Sequence, residues 1–262
     1  MTHTARKRFG QNFLHDSRII NQIIGSLNAK ADEHWIEIGP GQGALTEPLL
    51  KQGVKLDVVE LDRDLVTLLN NKFKQYGNLT IHSADALRFD FSQLAEKNKL
   101  RVVGNLPYNI STPLMFHLLE HASCIQDMYF MLQKEVVDRI CAEPNNKQYG
   151  KLSIMMQYYC QTEHLFDVPP ESFDPIPKVM SAIVCLKPHT TPPVQINDIK
   201  KLSQLVTHAF SQRRKTLRNA LKKHIDEQVM IDLGINPNLR AENISLFEFA
   251  KLSNSLKETI TE

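Results

Sequence analysis

Short apolar runs alternate with longer amphipathic segments along the chain up to Lys187. Four of these runs each end in a turn or a polar residue and predict buried strands, at residues 35–38, 56–59, 79–82 and 101–103. Residues 128–132 predict a fifth strand. Strands that alternate with helical segments are typical of a parallel sheet covered by helices.

The segments between these runs show helical spacing, for example at Leu65, Leu68, Leu69 and Phe73. A helix start is predicted at Ser111. Two later runs, 165–168 and 182–186, flank a proline-rich stretch and predict an antiparallel pair at one sheet edge. The fold class is therefore α/β, with a doubly wound, mostly parallel sheet.

The pattern changes after Lys187, where residues 188–193 are rich in proline and threonine and indicate a linker. From Asp198 onward the pattern is helical. We therefore predict two domains, an α/β domain at residues 1–187 with a basic N-terminal arm and a small helical domain at residues 188–262.

Composition narrows the class of protein. A chain of 262 residues, 42% of them hydrophobic, is long enough for one large domain and a smaller one. Because 31 basic residues face 29 acidic ones, any attraction to a polyanion must come from local patches. The four cysteines lack the spacing of zinc or redox motifs, and no apolar run is as long as a membrane span or a signal peptide core. We expect a cytoplasmic protein without a metal.

Glycines follow the first predicted strand, at Gly39 and Gly41. Glycine permits a tight turn and leaves the backbone open to a ligand. With Ala44 they match the loose dinucleotide fingerprint, and Glu60 stands about 20 residues downstream, as expected of a ribose-binding acid. These residues alone leave three interpretations open: a nicotinamide cofactor, a methyl donor, or a turn without a ligand.

Asp85 follows the third predicted strand. Its carboxylate could accept a hydrogen bond from the amine of an adenine in the crevice that a doubly wound sheet forms. Aspartate is equally common as a turn former, and Asp85 alone does not separate the two roles.

The sequence Asn105-Leu106-Pro107-Tyr108 ends the fourth predicted strand. Methylating an exocyclic amine is difficult because its lone pair is delocalised into the purine ring. The Asn105 side chain and the Leu106 carbonyl could accept both N–H bonds and so turn the lone pair toward a methyl donor. Pro107 restricts the turn, and Tyr108 offers a face on which a base could stack, worth about 1–3 kcal/mol. No strong general base is needed, because the amine becomes acidic once it has attacked.

These motifs resemble those of the ribosomal RNA adenine dimethyltransferases. That family includes the small-subunit enzyme, the erythromycin-resistance methylases and the mitochondrial transcription factor B proteins. The resemblance covers nearly the whole chain, through residues 8–14, 37–43, 60–62, 85–86, 105–112, 173–182 and 212–219. It implies a Rossmann-like methyltransferase fold with a C-terminal helical domain.

The resemblance also implies the cofactor and the site. The cofactor would be S-adenosylmethionine, bound by Asn12, Leu14, Gly39, Gly41, Glu60, Leu61, Asp85 and Asn105. Asn105 and Leu106 would accept from the target amine, with Tyr108 on one face of the base. Phe173, which by itself would be read as a core residue, would close the other face.

The leucine at Leu106 and the basic run at residues 213–218 resemble the small-subunit enzyme more than the resistance methylases. The implied reaction is dimethylation of two adjacent adenosines in the 3′-terminal hairpin loop of 16S rRNA, by a monomer that binds the small ribosomal subunit. Three alternatives remain: a resistance methylase acting on large-subunit RNA, a binding module that checks ribosome assembly, and a nicotinamide-dependent oxidoreductase.

Two basic clusters are predicted to bind RNA phosphates: Arg6, Lys7 and Arg8, and Arg213, Arg214 and Arg218. Lys222 and Lys223 are expected to form only a solvated helix face. His117 and His121 have a spacing that can bind metal, but the leucines beside them favour a packed helix face.

Overall fold

The computed structural model describes residues 11–95 and 98–256. These residues divide into two compact units. The first takes the chain up to residue 137 together with 163–188, and the second takes 138–162 and the residues from 189 onward. The sequence pattern predicts residues 138–162 in the first domain. The structure groups them with the helical unit, where the rings of Tyr149 and Phe210 pack with centroids 6.2 Å apart.

The described chain contains nine strands, which are β1 (Phe13–Leu14), β2 (His34–Ile38), β3 (Lys55–Glu60), β4 (Leu79–Ser83), β5 (Leu100–Asn105), β6 (Ile125–Gln133), β7 (Cys160–Val168), β8 (Phe173–Asp174) and β9 (Ser181–Pro188). Seven of them form one sheet in the order β4-β3-β2-β5-β6-β9-β7, and β1 pairs with β8 separately. Strands β2 to β6 run parallel to one another, and β9 runs antiparallel to β6. The fold class predicted from the sequence, a mostly parallel sheet with an antiparallel edge, is confirmed.

Both faces of the central strands are buried, as is typical of parallel sheets. All five residues of β2 are buried, and Trp35 and Ile36 are wholly inaccessible to solvent. The register pairs Ile38 with Val59 on one side and with Gly104 on the other. The carboxyl ends of β2, β3 and β5 therefore meet at one edge of the sheet, where a ligand crevice is expected.

Ten α-helices of the described residues connect and follow the strands: α1 (Ser17–Leu27), α2 (Thr46–Lys51), α3 (Arg63–Lys72), α4 (Ser111–Glu120), α5 (Lys134–Cys141), α6 (Lys151–Tyr159), α7 (Ile199–Ser211), α8 (Leu217–Leu221), α9 (Glu227–Asp232) and α10 (Leu246–Ser255). Helix α4 begins at the predicted start signal. Asp62 caps α3, with its side chain accepting from the Asp64 N–H at 3.1 Å. No helix in the described ranges could cross a membrane.

The histidine pair on α4 lies in aromatic packing. His117 and His121 contact the ring of Phe91 at centroid distances of 5.8 and 6.0 Å, and His117 Nε2 lies 2.9 Å from the Phe89 carbonyl oxygen. Within the described residues, no group of three or more histidine, cysteine or acidic side chains is arranged to hold a metal ion.

Candidate active site

The turn between β2 and α2 is built from glycines in left-handed conformations. Gly39 and Gly41 have φ angles of +65° and +57°. A Cβ at Gly41 would lie only 3.1 Å from the Phe13 ring, and the Gly39 N–H donates to the Val59 carbonyl at 3.0 Å. The turn therefore needs glycine for its conformation and for its close packing, and it keeps the backbone accessible to a ligand.

A cavity of about 310 Å³ opens beside this turn, at the carboxyl ends of β2, β3 and β5. Ten of the predicted site residues line it: Asn12, Leu14, Gly39, Gly41, Glu60, Leu61, Asp85, Asn105, Tyr108 and Phe173. Leu106 does not line it. That residue is buried, and its N–H donates to the Met131 carbonyl at 3.2 Å. The structure thus brings residues that are far apart in the sequence to one concave site.

Glu60 ends β3 and is 7% exposed. Burial raises the pKa of its carboxyl, and the carboxylate of Asp62 acts in the same direction. The N–H groups of Asp62 and Gly41 oppose that rise by donating to the Glu60 carboxylate, the first of them at 2.8 Å. A buried acid on the cavity wall is suited to accept hydrogen bonds from ligand hydroxyls.

Glu37 is a lining residue to which the sequence analysis gave no role. It is 2% exposed, and its carboxyl accepts from the Thr46 hydroxyl at 2.5 Å. Burial raises its pKa to about 7, with Thr46 opposing the rise and the negative charge of Glu60 adding to it. The sequence feature that could have indicated a role for Glu37 is its position, because it is an acidic residue inside a buried strand directly before the glycines.

Asp85 combines the two roles that its sequence position left open. One carboxyl oxygen accepts from the Leu87 N–H at 3.0 Å, so the residue forms a local turn. The other oxygen lies 4.0 Å from Arg88 Nε, and the side chain is 38% exposed. Because Asp85 also lines the cavity, its turn-forming role does not prevent it from binding a ligand amine.

Asn105 occupies the end of β5 with its amide oriented by the N-terminal segment. Its Nδ2 donates to the Asn12 carbonyl oxygen at 3.1 Å. A carbonyl oxygen can only accept, so this contact assigns the amide nitrogen to Asn12 and leaves Oδ1 as an acceptor. The partly buried Tyr108 is oriented through its hydroxyl, which lies 3.1 Å from Ser181 Oγ.

The short pair of β1 and β8 brings together two lining residues that are distant in the sequence, Leu14 and Phe173. Leu14 pairs with Phe173, and the His15 N–H donates to the Ser172 carbonyl at 3.0 Å. Phe173 is 1% exposed and belongs to the hydrophobic core as well as to the cavity wall. Its stacking role stays a prediction.

The basic residues predicted to bind RNA divide into two groups. Arg6, Lys7 and Arg8 lie outside the described residues. In the second unit, Arg214 is exposed.

Arg213 and Arg218 have partners within the second unit, which the sequence did not reveal. Arg213 donates to the Lys147 carbonyl at 2.7 Å, and Arg218 lies 3.2 Å from a Glu227 carboxylate oxygen. Both side chains remain about half exposed, so their binding to RNA stays a prediction.

Comparison with known proteins places this geometry in context. A family model described as ribosomal RNA adenine dimethylase matches residues 2–258. A Pseudomonas putida protein named ribosomal RNA small subunit methyltransferase A is 56% identical over 257 residues, which are 98% of this chain and 96% of that protein. A protein of the same name from Methylococcus capsulatus is 53% identical over 256 residues, which are 98% of this chain and 99% of that protein.

Solved structures agree on the architecture. A dimethyladenosine transferase from Plasmodium falciparum superimposes with a TM-score of 0.79 at 26% identity, covering 92% of this chain and 95% of that one. The 23S rRNA methyltransferase ErmE superimposes with a TM-score of 0.73 at 23% identity, covering 94% and 100%. The second likeness concerns the fold alone.

Proposed function

This chain belongs to the ribosomal RNA adenine dimethylase family, and from that premise we propose that it dimethylates the N6 amines of two adjacent adenosines in small-subunit rRNA. The target would be the 3′-terminal hairpin loop of 16S rRNA, modified during ribosome biogenesis with S-adenosylmethionine as the methyl donor. The observation that supports this best is the Asn105 amide, whose free acceptor Oδ1 belongs to a cavity that the glycine turn also lines.

The cavity residues fit S-adenosylmethionine by their chemistry. Gly39 and Gly41 leave the backbone open, and the buried Glu60 carboxylate can accept from the two ribose hydroxyls. The adenine and methionine ends of the cofactor would be covered by the other predicted cofactor-binding residues that line the cavity, Asp85, Leu61, Asn12 and Leu14. When bound, the cofactor supplies an electrophilic methyl group on a sulfonium. If the cofactor were a nicotinamide dinucleotide instead, Asn105, which lines the same cavity, would have no role.

The chain's contribution to the reaction is to position the target amine. Asn105 Oδ1 on the cavity wall would accept one N–H bond, and the carbonyl of Leu106, a residue outside the lining, would accept the other. Together they would direct the nitrogen lone pair toward the methyl donor. The Asn12 carbonyl keeps the Asn105 amide from rotating to present its nitrogen instead. Because fixed acceptors need no reorganisation during the reaction, they stabilise the transition state more than water would.

Tyr108 and Phe173 would hold the base between them after it has left its stack. The hydroxyl contact with Ser181 orients the Tyr108 ring, so stacking would not need to order that side chain first. After the first transfer one N–H remains on the amine, and either acceptor can hold it during the second. The proton released at each transfer passes to water.

Affinity for the RNA backbone would come from cations outside the cavity. The candidates remain Arg6, Lys7, Arg8, Arg213, Arg214 and Arg218. Arg214 is the sharpest test, because Arg213 and Arg218 already contact other groups of the second unit. Arg214→Ala should lower the slope of log affinity against log salt by about one. We further propose that the protein acts as a monomer in the cytoplasm, where small subunits are assembled.

Methyl transfer to separated ribosomal particles tests the substrate assignment. Purified small subunits that lack the modification should gain two dimethyladenosines per particle, and large-subunit RNA should gain none. Transfer to large-subunit RNA instead would favour a resistance methylase. If a Glu60→Ala variant that binds no cofactor restored normal subunit maturation, the alternative of a binding module that checks ribosome assembly would be favoured.

A further inference from the structure

Large apolar side chains are exposed at six positions of the described chain: Leu61, Ile176, Val179, Met180, Ile231 and Phe247. Three of them lie within residues 174–180, hereafter the 174–180 segment, where Ile176 is 65% exposed, Val179 43% and Met180 40%. A concentration of exposed apolar side chains on one short segment indicates an interaction surface, whereas isolated ones do not.

Both ends of the 174–180 segment are fixed at the cavity. Phe173, which precedes it, lines the cavity and pairs with Leu14. Ser181, which follows it, lies 3.1 Å from the hydroxyl of the lining residue Tyr108. Three residues span at most about 11 Å, so Ile176 lies within that distance of Phe173. The segment that carries the exposed apolar side chains therefore begins and ends beside the place proposed for the target base.

The segment is also restricted in conformation. Pro175 and Pro177 flank Ile176, and each proline ring locks its own φ. At the other end, the Met180 carbonyl accepts from the Lys134 N–H at 2.9 Å. A surface that is already ordered loses little conformational entropy on binding, so its apolar contacts contribute more of their free energy to affinity.

We propose that the 174–180 segment binds the nucleobase next to the target adenosine, through apolar contact with Ile176, Val179 and Met180. The proposal rests on the proposed function and extends its site. A base extruded from a stack leaves its neighbour with one uncovered face, and an apolar protein surface beside the cavity can cover that face. Lys178, exposed within the segment, supplies a cation for the phosphate between the two nucleotides.

A base-analogue experiment tests this proposal. The RNA is a hairpin with the two adjacent adenosines, in which one of the nucleotides flanking the target is replaced by fluorescent 2-aminopurine. The variant is the double substitution Ile176→Ser with Val179→Ser. Ile231→Ser is the matched control, because Ile231 is 51% exposed but lies on α9 in the second unit.

Binding of the wild-type protein should change the 2-aminopurine fluorescence, and the double variant should lose most of that change. Its KM for the RNA should rise about tenfold with kcat altered less than twofold, because partial burial of two aliphatic side chains is worth about one decade of binding and is realised before the transition state. Affinity for S-adenosylmethionine should stay unchanged in all three proteins, which shows that the variants fold. The control should match the wild type.

A double variant with wild-type KM and wild-type fluorescence change would overturn the inference while leaving the proposed function intact. A wild-type dimer that the double substitution converts to a monomer would overturn it too, since the segment would then join two copies. Failure of the wild-type protein to transfer methyl groups to purified small subunits would overturn the proposed function, and the inference with it.

Discussion

At the amino ends of β2, β5 and β6, buried charges are paired, whereas at the carboxyl ends of β2 and β3 buried acids have no cationic partner in contact. Arg101 donates to both carboxylate oxygens of Asp127, at 2.8 and 3.0 Å, and to Glu33 at 2.8 Å. Its guanidinium also lies over the Trp35 ring, 4.2 Å from the centroid. Burial opposes ionisation of Glu33, but the Arg101 contact lowers the pKa of that carboxyl overall.

Asp57 shows the same behaviour within β3. Its two oxygens lie 2.6 Å from Nε2 of His34 and 2.6 Å from Nε2 of His82. Although burial works against the charge, these hydrogen bonds lower the pKa of Asp57. The charged form of the acid is therefore accommodated inside the sheet.

Glu37 and Glu60, at the cavity end, have raised pKa values instead. In the part of the chain that the structure describes, neither forms an ion pair. The contrast separates two uses of a buried acid: a paired acid stays charged inside the fold and depends on its partner, and an unpaired acid reduces stability while remaining available to a ligand. Each of the following substitutions tests one side of that contrast.

The largest expected effect is at the paired end. Arg101→Met should lower the free energy of unfolding by about 3–5 kcal/mol, because it leaves Asp127 and Glu33 without their buried cation. Urea unfolding measures this, with Arg18→Met as the control. Arg18 is 90% exposed beside Asp16, and its loss should cost less than about 0.5 kcal/mol. Equal losses in the free energy of unfolding from the two substitutions would contradict the claim that buried charges at this end of the sheet depend on their pairing.

Glu37→Gln should stabilise the protein in a pH-dependent way. Because folding raises the pKa of Glu37 from 4.5 to about 7, wild-type stability falls as pH rises through this window and stays reduced above it. Glutamine keeps the acceptor for Thr46 and has no proton to lose. Unfolding at pH 8 should therefore show the variant more stable by about 3 kcal/mol, and at pH 5 by less than about 1 kcal/mol. A difference independent of pH would show that Glu37 ionises normally.

Glu60→Gln should weaken S-adenosylmethionine binding by about 10- to 100-fold, since a hydrogen bond to a charged acceptor contributes about 1.5–3 kcal/mol. The same substitution should leave the free energy of unfolding unchanged or slightly higher. Calorimetric titration and urea unfolding measure the two quantities. Glu47→Gln is the control, because Glu47 forms only exposed ion pairs, with Lys51 and Lys72. Unchanged cofactor affinity together with lost stability would assign Glu60 to the fold.

Gly41→Ala should lower the free energy of unfolding by about 1–2 kcal/mol, because an L residue is strained at φ +57°. The added methyl group would also lie 3.1 Å from the Phe13 ring on the cavity wall, so cofactor affinity should fall with it. Gly77→Ala is the control, as nothing lies within 4 Å of its Cβ position and its φ is not in the left-handed range. Identical affinities for both variants would mean that the turn does not shape the site.

The sheet could be predicted from the sequence because its strands are buried on both faces and read as apolar runs. The same reasoning located Gly39, Glu60, Asp85 and Asn105, since the carboxyl ends of parallel strands meet at one edge. Asn12 and Phe173 came only from the resemblance. The pair of β1 and β8, which directly follows Asn12 and contains Phe173, has two residues per strand, too few for a periodic pattern.

Other features depend on tertiary contacts that no local pattern encodes. The grouping of residues 138–162 with the helical unit depends on packing such as that of Tyr149 against Phe210. The contact of Arg213 with the Lys147 carbonyl joins residues 66 positions apart. A basic run in the sequence therefore indicates where cations are, but not which of them the folded protein leaves available.

Labelled methyl transfer to small ribosomal subunits, with Asn105→Ala beside the wild type, tests the central claim most directly. Asn70→Ala, an exposed position on α3, is the matched control. The account predicts dimethyladenosine at two adjacent positions with the wild type and the control, and at least about a 100-fold slower transfer with Asn105→Ala at saturating cofactor. Transfer by Asn105→Ala at the wild-type rate, or no transfer by the wild type to any ribosomal RNA, would contradict it.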